Sequence, residues 1–511
     1  MEMKGTFMNT LTSLITRRYV LLTLAAVCTG AAFTPYVNAQ TGNFGKNIEV
    51  ILPGDYCDPA ILRDGDDYYM THSSLDQYPG LLIWHSRDLK NWTRVTRALQ
   101  KYVGEVWGLD LVKYQGKYYI YFPGLTKKGP RIFVVVADKM EGPWGDPIQI
   151  GDFPGIDPGH IATPEGKRYI YIDGRVVELA ADGYTPVGEV RKVYDGWPIP
   201  DDYGVEAFAL EGSKLLFHNN YYYLTSAEGG TAGPSTSHMV ISARSASPLG
   251  PWENSPNNPI IRTRTSKDPW MSKGHGTIFE GPNRQWYMVY HAYSRGNYNL
   301  GRSSLIEPVE WTKDKWYKST LKENSSGKSI IHQNSRIVSD DFSKALLNLQ
   351  WSFMGYDSYM SAVLKGGKLI MSSNSETIKA INAIVSDPDY SASVKLEPES
   401  GVESGIAAIY NPSSYVGLAF CNGKVFSVKN GKRSKEIDAP ETKYFRMKKE
   451  NQDVRFEYSK DGITWSNYPY AYEVSGYNHN NLGGFVSLKV GVYVKGSGNV
   501  IIDDFEYKAL K

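Results

Sequence analysis

The chain is short of cysteine and carries no long run of apolar residues beyond its N-terminal segment. It has three cysteines in 511 residues, of which Cys57 and Cys421 lie after that segment. We assign these two to different domains, which leaves neither a disulfide framework nor a thiolate zinc site. Cys57 has no evident partner base nearby, so we interpret it as a small packing residue and not as a nucleophile.

An excess of charge of either sign is also missing. The formal net charge is +2, which gives no reason to expect a nucleic-acid partner or an anionic membrane partner. After the N-terminal segment no stretch approaches the roughly 18 apolar residues that a transmembrane helix needs. We therefore predict no nucleic-acid binding and no membrane span.

The first 39 residues are interpreted as a secretory signal peptide. Arg17 and Arg18 precede an apolar run over residues 19–27, and residues 37–39 form a small-x-small cleavage signal. A twin-arginine signal and lipidation of Cys28 are weaker interpretations, because the flanking residues fit neither. The segment predicts a secreted or periplasmic protein.

Aromatic residues are abundant, at 13% of the chain, with 37 Tyr and 12 Trp. Aromatic rings suit the axial C–H faces of sugars, but tyrosine-rich strands suit any β protein as well. Composition alone does not decide between the two.

A unit of about 50 residues recurs five times between residues 50 and 317. Each unit opens on a short apolar run and continues with a polar turn and a returning strand that is usually rich in tyrosine. The opening positions are spaced by 52, 47, 54 and 64 residues, and they are Asp58, Asp110, Asp157, Glu211 and His275. About four strands per unit is the size of a propeller blade, whose first strand lines the central channel. We predict an all-β, five-bladed propeller over residues 40–317. A β-sandwich is the competing fold, but it would not require five equal openings.

Residues 318–511 do not continue the repeat. Residues 318–339 are polar and are predicted to be a linker. Residues 340–511 contain short strand-like runs separated by turns, including the hairpin signal Lys460-Asp461-Gly462. We predict a β-sandwich of the concanavalin-like or jelly-roll type there.

Four of the five openings are acidic, and three of them can supply the carboxyl groups that glycoside hydrolysis uses. One carboxylic acid must protonate the leaving oxygen, and one carboxylate must act on the opposite side of the sugar. A third carboxylate can raise the pKa of the acid by like-charge repulsion. Asp58, Asp157 and Glu211 supply this set. Glu206 is a rival to Glu211, but it lies out of register with the repeat, and its odd offset turns it to the other strand face.

Residues 51–311 resemble glycoside hydrolase family 43. The stretches that carry the resemblance are residues 52–59 (LPGDYCDP), Ile156-Asp157-Pro158, Glu211-Gly212, residues 227–231 (AEGGT), Gly274-His275-Gly276 and Leu300-Gly301-Arg302. The resemblance implies a five-bladed propeller and inverting, single-displacement hydrolysis that needs no cofactor. It also implies that Asp58 is the general base, that Glu211 is the general acid and that Asp157 tunes and orients Glu211.

The resemblance extends to further positions. Arg302 resembles the family arginine that contacts the sugar, with a blade-closing salt bridge as the alternative. His275 resembles the channel histidine that often lies beside a bound calcium ion or water cluster, so a structural calcium ion is one expectation. Trp107 is a predicted stacking platform, with a place in the core as the alternative. Trp84 and Glu228 are also predicted to bind substrate.

The chain departs from the family pattern at two places that flank the pocket. Ser213 stands where the acid motif usually has proline, and Trp107-Gly108-Leu109-Asp110 stands where the second blade commonly reads Trp-Ala-Pro-Asp. These departures leave the reaction type intact and the substrate open. The retaining fructosidase class is not favoured, because its Asn-Asp-Pro-Asn-type motif is absent.

We predict an exported, inverting, exo-acting glycosidase that acts on plant polysaccharides or oligosaccharides and releases α-L-arabinofuranose or β-xylose. Exo-β-galactosidase activity is an alternative within the same family. A non-catalytic propeller, in which the carboxylates only coordinate sugar or metal, is the alternative of a different class. The C-terminal region resembles sandwich domains that accompany some family members and can wall the active site.

Overall fold

The computed structural model describes residues 47–321 and 329–510. The predicted signal peptide lies outside these residues, as does part of the predicted linker, residues 322–328. Within the described residues the chain is nearly all β-strand: five small antiparallel sheets come first and one large curled sheet follows. None of its helices is long and apolar enough to cross a membrane, judged over the described residues.

The first part contains 24 strands. In chain order they are β1 (Glu49–Leu52), β2 (Ala60–Asp64), β3 (Asp67–Thr71), β4 (Gln77–Tyr78), β5 (Gly80–Ser86), β6 (Thr93–Leu99), β7 (Asp110–Tyr114), β8 (Lys117–Thr126), β9 (Gly129–Ala137), β10 (Ile148–Pro154), β11 (Gly159–Ala162), β12 (Arg168–Ile172), β13 (Arg175–Leu179), β14 (Pro186–Lys192), β15 (Glu211–His218), β16 (Tyr221–Glu228), β17 (Met239–Ser245), β18 (Glu253–Asn254), β19 (Ile261–Arg262), β20 (Trp270–Glu280), β21 (Trp286–Ser294), β22 (Arg302–Trp311), β23 (Tyr317–Ser319) and β24 (Ile330–Ile331). Two short 3-10 turns interrupt them, at Pro282–Arg284 and Tyr298–Leu300.

These strands form five blades, so the predicted propeller is confirmed. Blades one to four have the strand orders β2-β3-β5-β6, β7-β8-β9-β10, β11-β12-β13-β14 and β15-β16-β17-β18. Blade five has the order β20-β21-β22-β1-β24, so its fourth strand comes from the chain segment that precedes blade one, and the short β24 pairs parallel with it. Strand β1 pairs antiparallel with β22 and is buried along its whole length. This pairing closes the ring.

Each pair of neighbouring blades buries its own apolar cluster. Strands that face a blade on both sides are buried on both faces, as in β12, whose five residues are all buried. One representative pair from each of the five interfaces shows the pattern: Ala60 with Leu111, Val134 with Ile170, Tyr169 with Leu224, Val240 with Ile278, and Ile61 with Phe279. The blades are therefore fixed relative to one another, and so is whatever they present at the axis.

The second part contains 13 strands and two short helices. They are β25 (Ser352–Met354), α1 (Tyr356–Met360), β26 (Ala362–Lys365), β27 (Lys368–Ala383), β28 (Tyr390–Pro398), β29 (Glu403–Asn411), β30 (Ser414–Cys421), β31 (Lys424–Lys429), β32 (Lys432–Arg433), β33 (Ile437–Asp438), β34 (Tyr444–Glu450), β35 (Asp453–Ser459), β36 (Ser466–Glu473), α2 (His479–Leu482) and β37 (Lys489–Ala509). Strand β37 pairs with β27 along one edge and with β29 and then β28 along the other. The sheet curls around one large core, which confirms the predicted β-sandwich.

The two parts share backbone hydrogen bonds. Strand β4, which leaves blade one, pairs antiparallel with β25 of the sandwich. The guanidinium of Arg97 donates to the carbonyl oxygens of Leu349 and Trp351, at 2.9 Å each. The sandwich is therefore attached to the propeller by secondary structure and not only by the intervening chain.

Candidate active site

The three predicted carboxylates lie together at one end of the propeller channel. Asp58 and Asp157 each lie two residues before the first strand of their blade, and Glu211 is the first residue of β15. His275 links them: its Nδ1 is 3.3 Å from Asp58 Oδ1 and 3.8 Å from Asp157 Oδ2. Asp157, Glu211 and His275 each place one polar atom within 4.8 Å of the others. The repeat thus delivers side chains from blades one, three, four and five to one site.

The backbone explains how these side chains reach the axis. Asp58, Asp157 and His275 adopt left-handed φ angles of 56°, 51° and 55°. This conformation is uncommon for residues other than glycine and costs on the order of 1–3 kcal/mol at each position. It recurs at the opening of three blades. Such strain, held in place by the packed blades, is typical of functional sites.

The surroundings of Asp58 keep it ionised. Arg302 Nη1 lies 3.1 Å from its Oδ1, and the hydroxyl of Ser73 donates to its Oδ2 at 2.5 Å. His291 Nδ1 lies 3.0 Å from Oδ1 and 3.1 Å from the Asp58 backbone nitrogen. Burial raises the pKa of Asp58, but the positive charge of Arg302 and the contacts with His275 and His291 outweigh it and hold the pKa well below its usual range. Such a carboxylate can accept a proton from water.

The surroundings of Glu211 have the opposite effect. Burial, followed by the negative charges of Asp157 and Asp58, raises the pKa of Glu211 well above its usual range. Burial and the charge of Asp58 raise the pKa of Asp157 to about 7, although its Oδ2 accepts the Gly212 backbone N–H at 3.1 Å. The pKa of Asp58 is thus lowered and the pKa of Glu211 is raised within one site. Acid–base catalysis requires this arrangement, because one group must accept a proton and the other must donate one.

Gly108 accounts for one departure from the family pattern. A Cβ at this position would lie 2.5 Å from Asp157 Oδ1 and 2.6 Å from His275 Cε1. Asp157 and His275 therefore pack directly against a backbone that has no side chain. In this chain an alanine at position 108 would displace one of them.

Arg302 is almost completely buried and binds the base side of the site. Besides Asp58, its Nη2 contacts Cys57 Sγ at 3.0 Å, and its backbone N–H donates to Asp55 Oδ1 at 3.1 Å. These contacts link β22 to the segment that leads into blade one. They give Arg302 a structural role, and its predicted contact with the sugar stays a prediction.

Trp107 lies beside the site, next to Gly108. It is half-buried, packs against the sandwich core, and its Nε1 donates to Glu105 Oε2 at 3.3 Å. The alternative expectation for Trp107, a place in the core, agrees with its packing, and its role as a stacking platform stays a prediction.

Trp84 was wrongly predicted to bind substrate. Its side chain is 0% exposed and belongs to the cluster between blades five and one. The ring packs edge-on against Tyr56 at 5.5 Å and lies under the guanidinium of Arg94 at 4.9 Å. It sits on β5, the third strand of its blade, away from the channel. The sequence shows an aromatic residue but not which strand of the blade carries it.

Glu228 was also wrongly predicted to contact substrate. It is 0% exposed, and its Oε1 accepts the Trp197 backbone N–H at 2.8 Å. Burial raises its pKa to about 8, so it is largely neutral at pH 7. Glu228 therefore anchors the loop that contains Trp197, and a sugar cannot reach it because it is fully buried.

Sequence analysis missed several residues of the site. Ser73 and His291 contact Asp58 but lie outside the repeat openings. A signal for His291 existed, because it pairs directly with Gly274, next to His275, across the β20–β21 hairpin. Nothing pointed to Phe485, which lies in the segment 475–488 that we call the cap loop.

The cap loop brings the sandwich to the base side of the site. Phe485 lies with its ring 5.7 Å from the Arg302 guanidinium carbon and its carbonyl oxygen 3.5 Å from Arg302 Nη2. His479 stacks on the Phe485 ring at 3.8 Å. Asn480 Oδ1 accepts the Gly233 backbone N–H at 3.2 Å. One wall of the site is therefore built by the second domain.

The donor atoms at the site do not fit the predicted calcium ion. Two sets of described residues could offer metal ligands: Asp58, His275 and His291, and Asp157, Glu211 and His275. Calcium takes six to eight oxygen ligands, whereas each set includes imidazole nitrogen and provides carboxylates from at most two residues. Those carboxylates are also the groups that the chemistry needs. No catalytic step is therefore assigned to a metal.

Comparison with known proteins agrees with this geometry. Residues 48–317 match the sequence model of glycosyl hydrolases family 43, and residues 339–508 match the β-xylosidase C-terminal concanavalin A-like domain. A xylan 1,3-β-xylosidase of a Vibrio species is 31% identical over 53% of this chain and 57% of its own length. A non-reducing end α-L-arabinofuranosidase of Bacteroides ovatus is 30% identical over 62% of this chain and 63% of its own length. The matches thus cover less than two thirds of these two relatives.

A solved structure supports the fold over a longer range. The xylan β-1,4-xylosidase of Bacillus halodurans superposes with a TM-score of 0.78 over 90% of this chain and 99% of its own, at 24% identity. This likeness concerns the arrangement of propeller and sandwich alone. Since the family model spans more than half of the chain and its blades carry the carboxylates described above, the protein is a glycosidase that belongs to glycosyl hydrolases family 43.

Proposed function

We propose that the protein is an exported, inverting exo-glycosidase that releases terminal α-L-arabinofuranose or β-xylose from plant polysaccharides or oligosaccharides. The observation that carries the proposal is the position of Asp58, Asp157 and Glu211 around His275, with Asp58 paired to Arg302. In this arrangement the charge of Arg302 lowers the pKa of Asp58, whereas burial and the charge of Asp157 raise the pKa of Glu211. A carbohydrate-binding protein that did no chemistry would not require one carboxyl group ionised and another protonated.

The proposed reaction is a single displacement. Asp58 accepts a proton from a water molecule as the water oxygen attacks the anomeric carbon. Glu211 donates its proton to the glycosidic oxygen as the bond from that oxygen to the anomeric carbon breaks. The released sugar has the inverted anomeric configuration, and proton exchange with solvent restores both carboxyl groups. Asp157 acts on Glu211 by charge, and Arg302 keeps Asp58 in its basic form.

The choice of sugar rests on the relatives. One is named a xylosidase acting on xylan and the other an arabinofuranosidase acting at non-reducing ends. Exo-β-galactosidase activity remains the alternative from the sequence, and no contact at the site favours it. Exo action is supported by the cap loop, which adds a wall beside Arg302 and Asp58 and favours a pit over an open cleft.

Export is proposed from residues 1–39 alone. Expression of the full chain in a bacterial host, followed by N-terminal sequencing of protein from the periplasm or medium, tests this directly. We expect a mature N-terminus at Gln40. Retention of the intact chain in the cytoplasm would contradict it.

The proposed chemistry is tested with aryl α-L-arabinofuranoside, β-xyloside and β-galactoside, followed by NMR of the anomer first released from the best substrate. We expect cleavage of a pentoside with inversion. Glu211→Gln and Asp58→Asn should each lower kcat by at least the ~10²-fold typical of a lost acid or base, while sugar binding measured by calorimetry persists.

The matched control is Glu206→Gln, which alters the rival acidic residue but leaves an amide oxygen to accept the Ala232 backbone N–H. Loss of hydrolysis in Glu206→Gln with full activity in Glu211→Gln would reverse the assignment of the acid. Retention of the anomeric configuration would reject single displacement.

A further inference from the structure

An 18-residue segment without strands leads directly into the proposed acid. This segment, residues 193–210, is called here the mouth loop; it joins β14 to β15 and ends immediately before Glu211. It carries Phe208, whose side chain is 48% exposed. Large apolar side chains in the blades are mostly buried, so an exposed aromatic ring three residues from the acid is a candidate contact for a ligand.

The pairing in blade four places the Phe208 backbone beside the end of β16. Glu211 pairs with Ala227 across β15 and β16. The backbone N–H of Gly229, two residues further along, donates to the Phe208 carbonyl oxygen at 3.0 Å. The chain before Glu211 therefore runs alongside the end of β16 and beyond it. Phe208 lies beside the end of β16, three residues before Glu211 in the chain.

The mouth loop is held by built contacts. The backbone N–H of Glu206 donates to Gly229 O at 3.0 Å and to Ser237 Oγ at 2.6 Å. The Glu206 carboxylate in turn accepts the Ala232 N–H at 2.8 Å. These bonds tie the mouth loop to the turn that follows β16.

The ring of Phe208 packs against the mouth loop at Gly196. A Cβ on Gly196 would lie 2.6 Å from Phe208 Cζ and would also collide with Glu228 Oε1. The tip of the ring therefore packs on the Gly196 backbone. Glu228 holds the next residue, Trp197, from below. The contacts fix one part of the ring and leave nearly half of the side chain open to solvent.

The direction of the reaction gives this exposed ring a function. The acid faces the glycosidic oxygen, so the departing part of the substrate lies on the Glu211 side of the site, where the mouth loop ends. The Phe485 end of the cap loop lies against Arg302, on the base side of the site. We propose that Phe208 is the platform on which the first sugar ring of the leaving group stacks. This makes Phe208 a specificity-determining residue that favours glycosidic leaving groups with a ring; the inference rests on the proposed function.

Glu228 then has a positioning role. Its buried carboxyl group accepts the Trp197 N–H of the mouth loop, and its other oxygen has no hydrogen-bond partner among the described residues. Glu228→Gln keeps the acceptor, whereas Glu228→Ala removes it. The packing of Phe208 on Gly196 should be retained in Glu228→Gln and weakened in Glu228→Ala.

The test compares two substrates that share the same terminal pentose. One is the pentosyl fluoride, whose leaving group has no ring; the other is the same pentose linked to xylose. We expect Phe208→Ala to lower kcat/KM for the disaccharide by about 10-fold, mainly through KM, and to leave the fluoride unchanged. Phe208→Tyr should retain wild-type values on both substrates. Glu228→Ala should resemble Phe208→Ala, and Glu228→Gln should resemble wild type.

The matched control is Val187→Ala, which removes another exposed apolar side chain, on β14 of blade three. It should leave both substrates unaffected. Equal losses on fluoride and disaccharide in Phe208→Ala, or no loss on the disaccharide, would overturn the assignment while the glycosidase proposal stands. Cleavage of neither substrate by the wild-type enzyme, with either pentose, would reject the proposed function and this inference with it.

Discussion

At the scale of single residues, the site shows how three similar side chains acquire different protonation states. Asp58, Asp157 and Glu211 are all carboxyl groups in or beside one channel. Asp58 contacts a guanidinium and two imidazoles, whereas Glu211 is buried close to other carboxylates. Neighbours, and not residue type, decide which group accepts a proton and which donates it.

The first prediction concerns pH. Activity requires Asp58 ionised and Glu211 protonated, so the profile of kcat/KM falls at low pH as Asp58 gains a proton and at high pH as Glu211 loses one. Asp157→Asn removes a negative charge that raises the pKa of Glu211. We expect its alkaline limb to move to lower pH, while the acid limb, held low by Arg302, stays in place. Steady-state rates across pH measure both limbs.

Burial of Glu211 remains in the Asp157→Asn variant, so the alkaline limb should still lie above the usual pKa range of a glutamate. An alkaline limb unchanged from wild type would show that Asp157 does not act on Glu211 by charge. Asp110→Asn, at the corresponding opening of blade two, is the control. Its carboxylate accepts the His160 N–H and faces Lys214, outside the two carboxylate sets at the site.

The second prediction concerns Gly108. Gly108→Ala places a methyl group within 2.5 Å of the wild-type position of Asp157 Oδ1. Since a displacement of about 1 Å at a catalytic group can cost on the order of 10²-fold in rate, we expect a large fall in kcat with little change in melting temperature. Gly145→Ala, in the outer part of the same blade, meets only Val136 O at 3.3 Å and should retain activity. Full activity in Gly108→Ala would mean that Asp157 needs no fixed position.

What the sequence predicted at this scale follows from the repeat. Asp58, Asp157, Glu211 and His275 were found because a propeller brings the same position of every unit to one axis. His291 and Ser73 lie outside those positions, so the repeat did not indicate them. Trp84 and Glu228 were misassigned because a motif gives residue types, whereas exposure depends on which blade face meets a neighbour. Phe485 comes from another domain, and its arrival beside Arg302 depends on tertiary packing that no local pattern encodes.

At the scale of elements, ring closure is the feature that the repeat hides. Five units suggest five self-contained blades, yet blade five obtains its fourth strand from Glu49–Leu52, ahead of unit one. Strand β1 reads as a short apolar run, and a run of that length fits any buried strand. Its pairing with β22 completes blade five with a strand from the start of the propeller chain, and this closes the ring. The chain segment that leads to Asp58 is thereby anchored on the blade that carries His275 and leads to Arg302.

The loops around the site were harder to predict than the strands. The strands were predictable because alternation and turn residues mark them. The mouth loop and the cap loop carry little periodicity, and they decide what surrounds the three carboxylates. Hydrolysis was therefore foreseeable from the strands, while the walls that select a substrate were not.

At the scale of the whole molecule, the sandwich is part of the site and not an appendage. Strand pairing between β4 and β25, the Arg97 bonds, and the contact of Phe485 with Arg302 all cross between the two parts. Arg302 in turn sets the pKa of Asp58. Removing the sandwich would uncover one side of the salt bridge on which the base depends, because the cap loop would be lost with it.

We therefore expect the propeller and sandwich to unfold together. Domains that share backbone pairing and a buried charged cluster lose both when either unfolds, so calorimetry of the full chain should show one cooperative transition and not two. A variant that ends at residue 321 should have a lower melting temperature and little activity. Phe485→Ala in the full chain is the matched control, since it removes the ring while keeping the strand pairing and should preserve the single transition. Two separate transitions, or a truncated propeller with wild-type kcat and an unchanged acid limb, would show that the sandwich contributes neither to the stability of the site nor to the ionisation of Asp58.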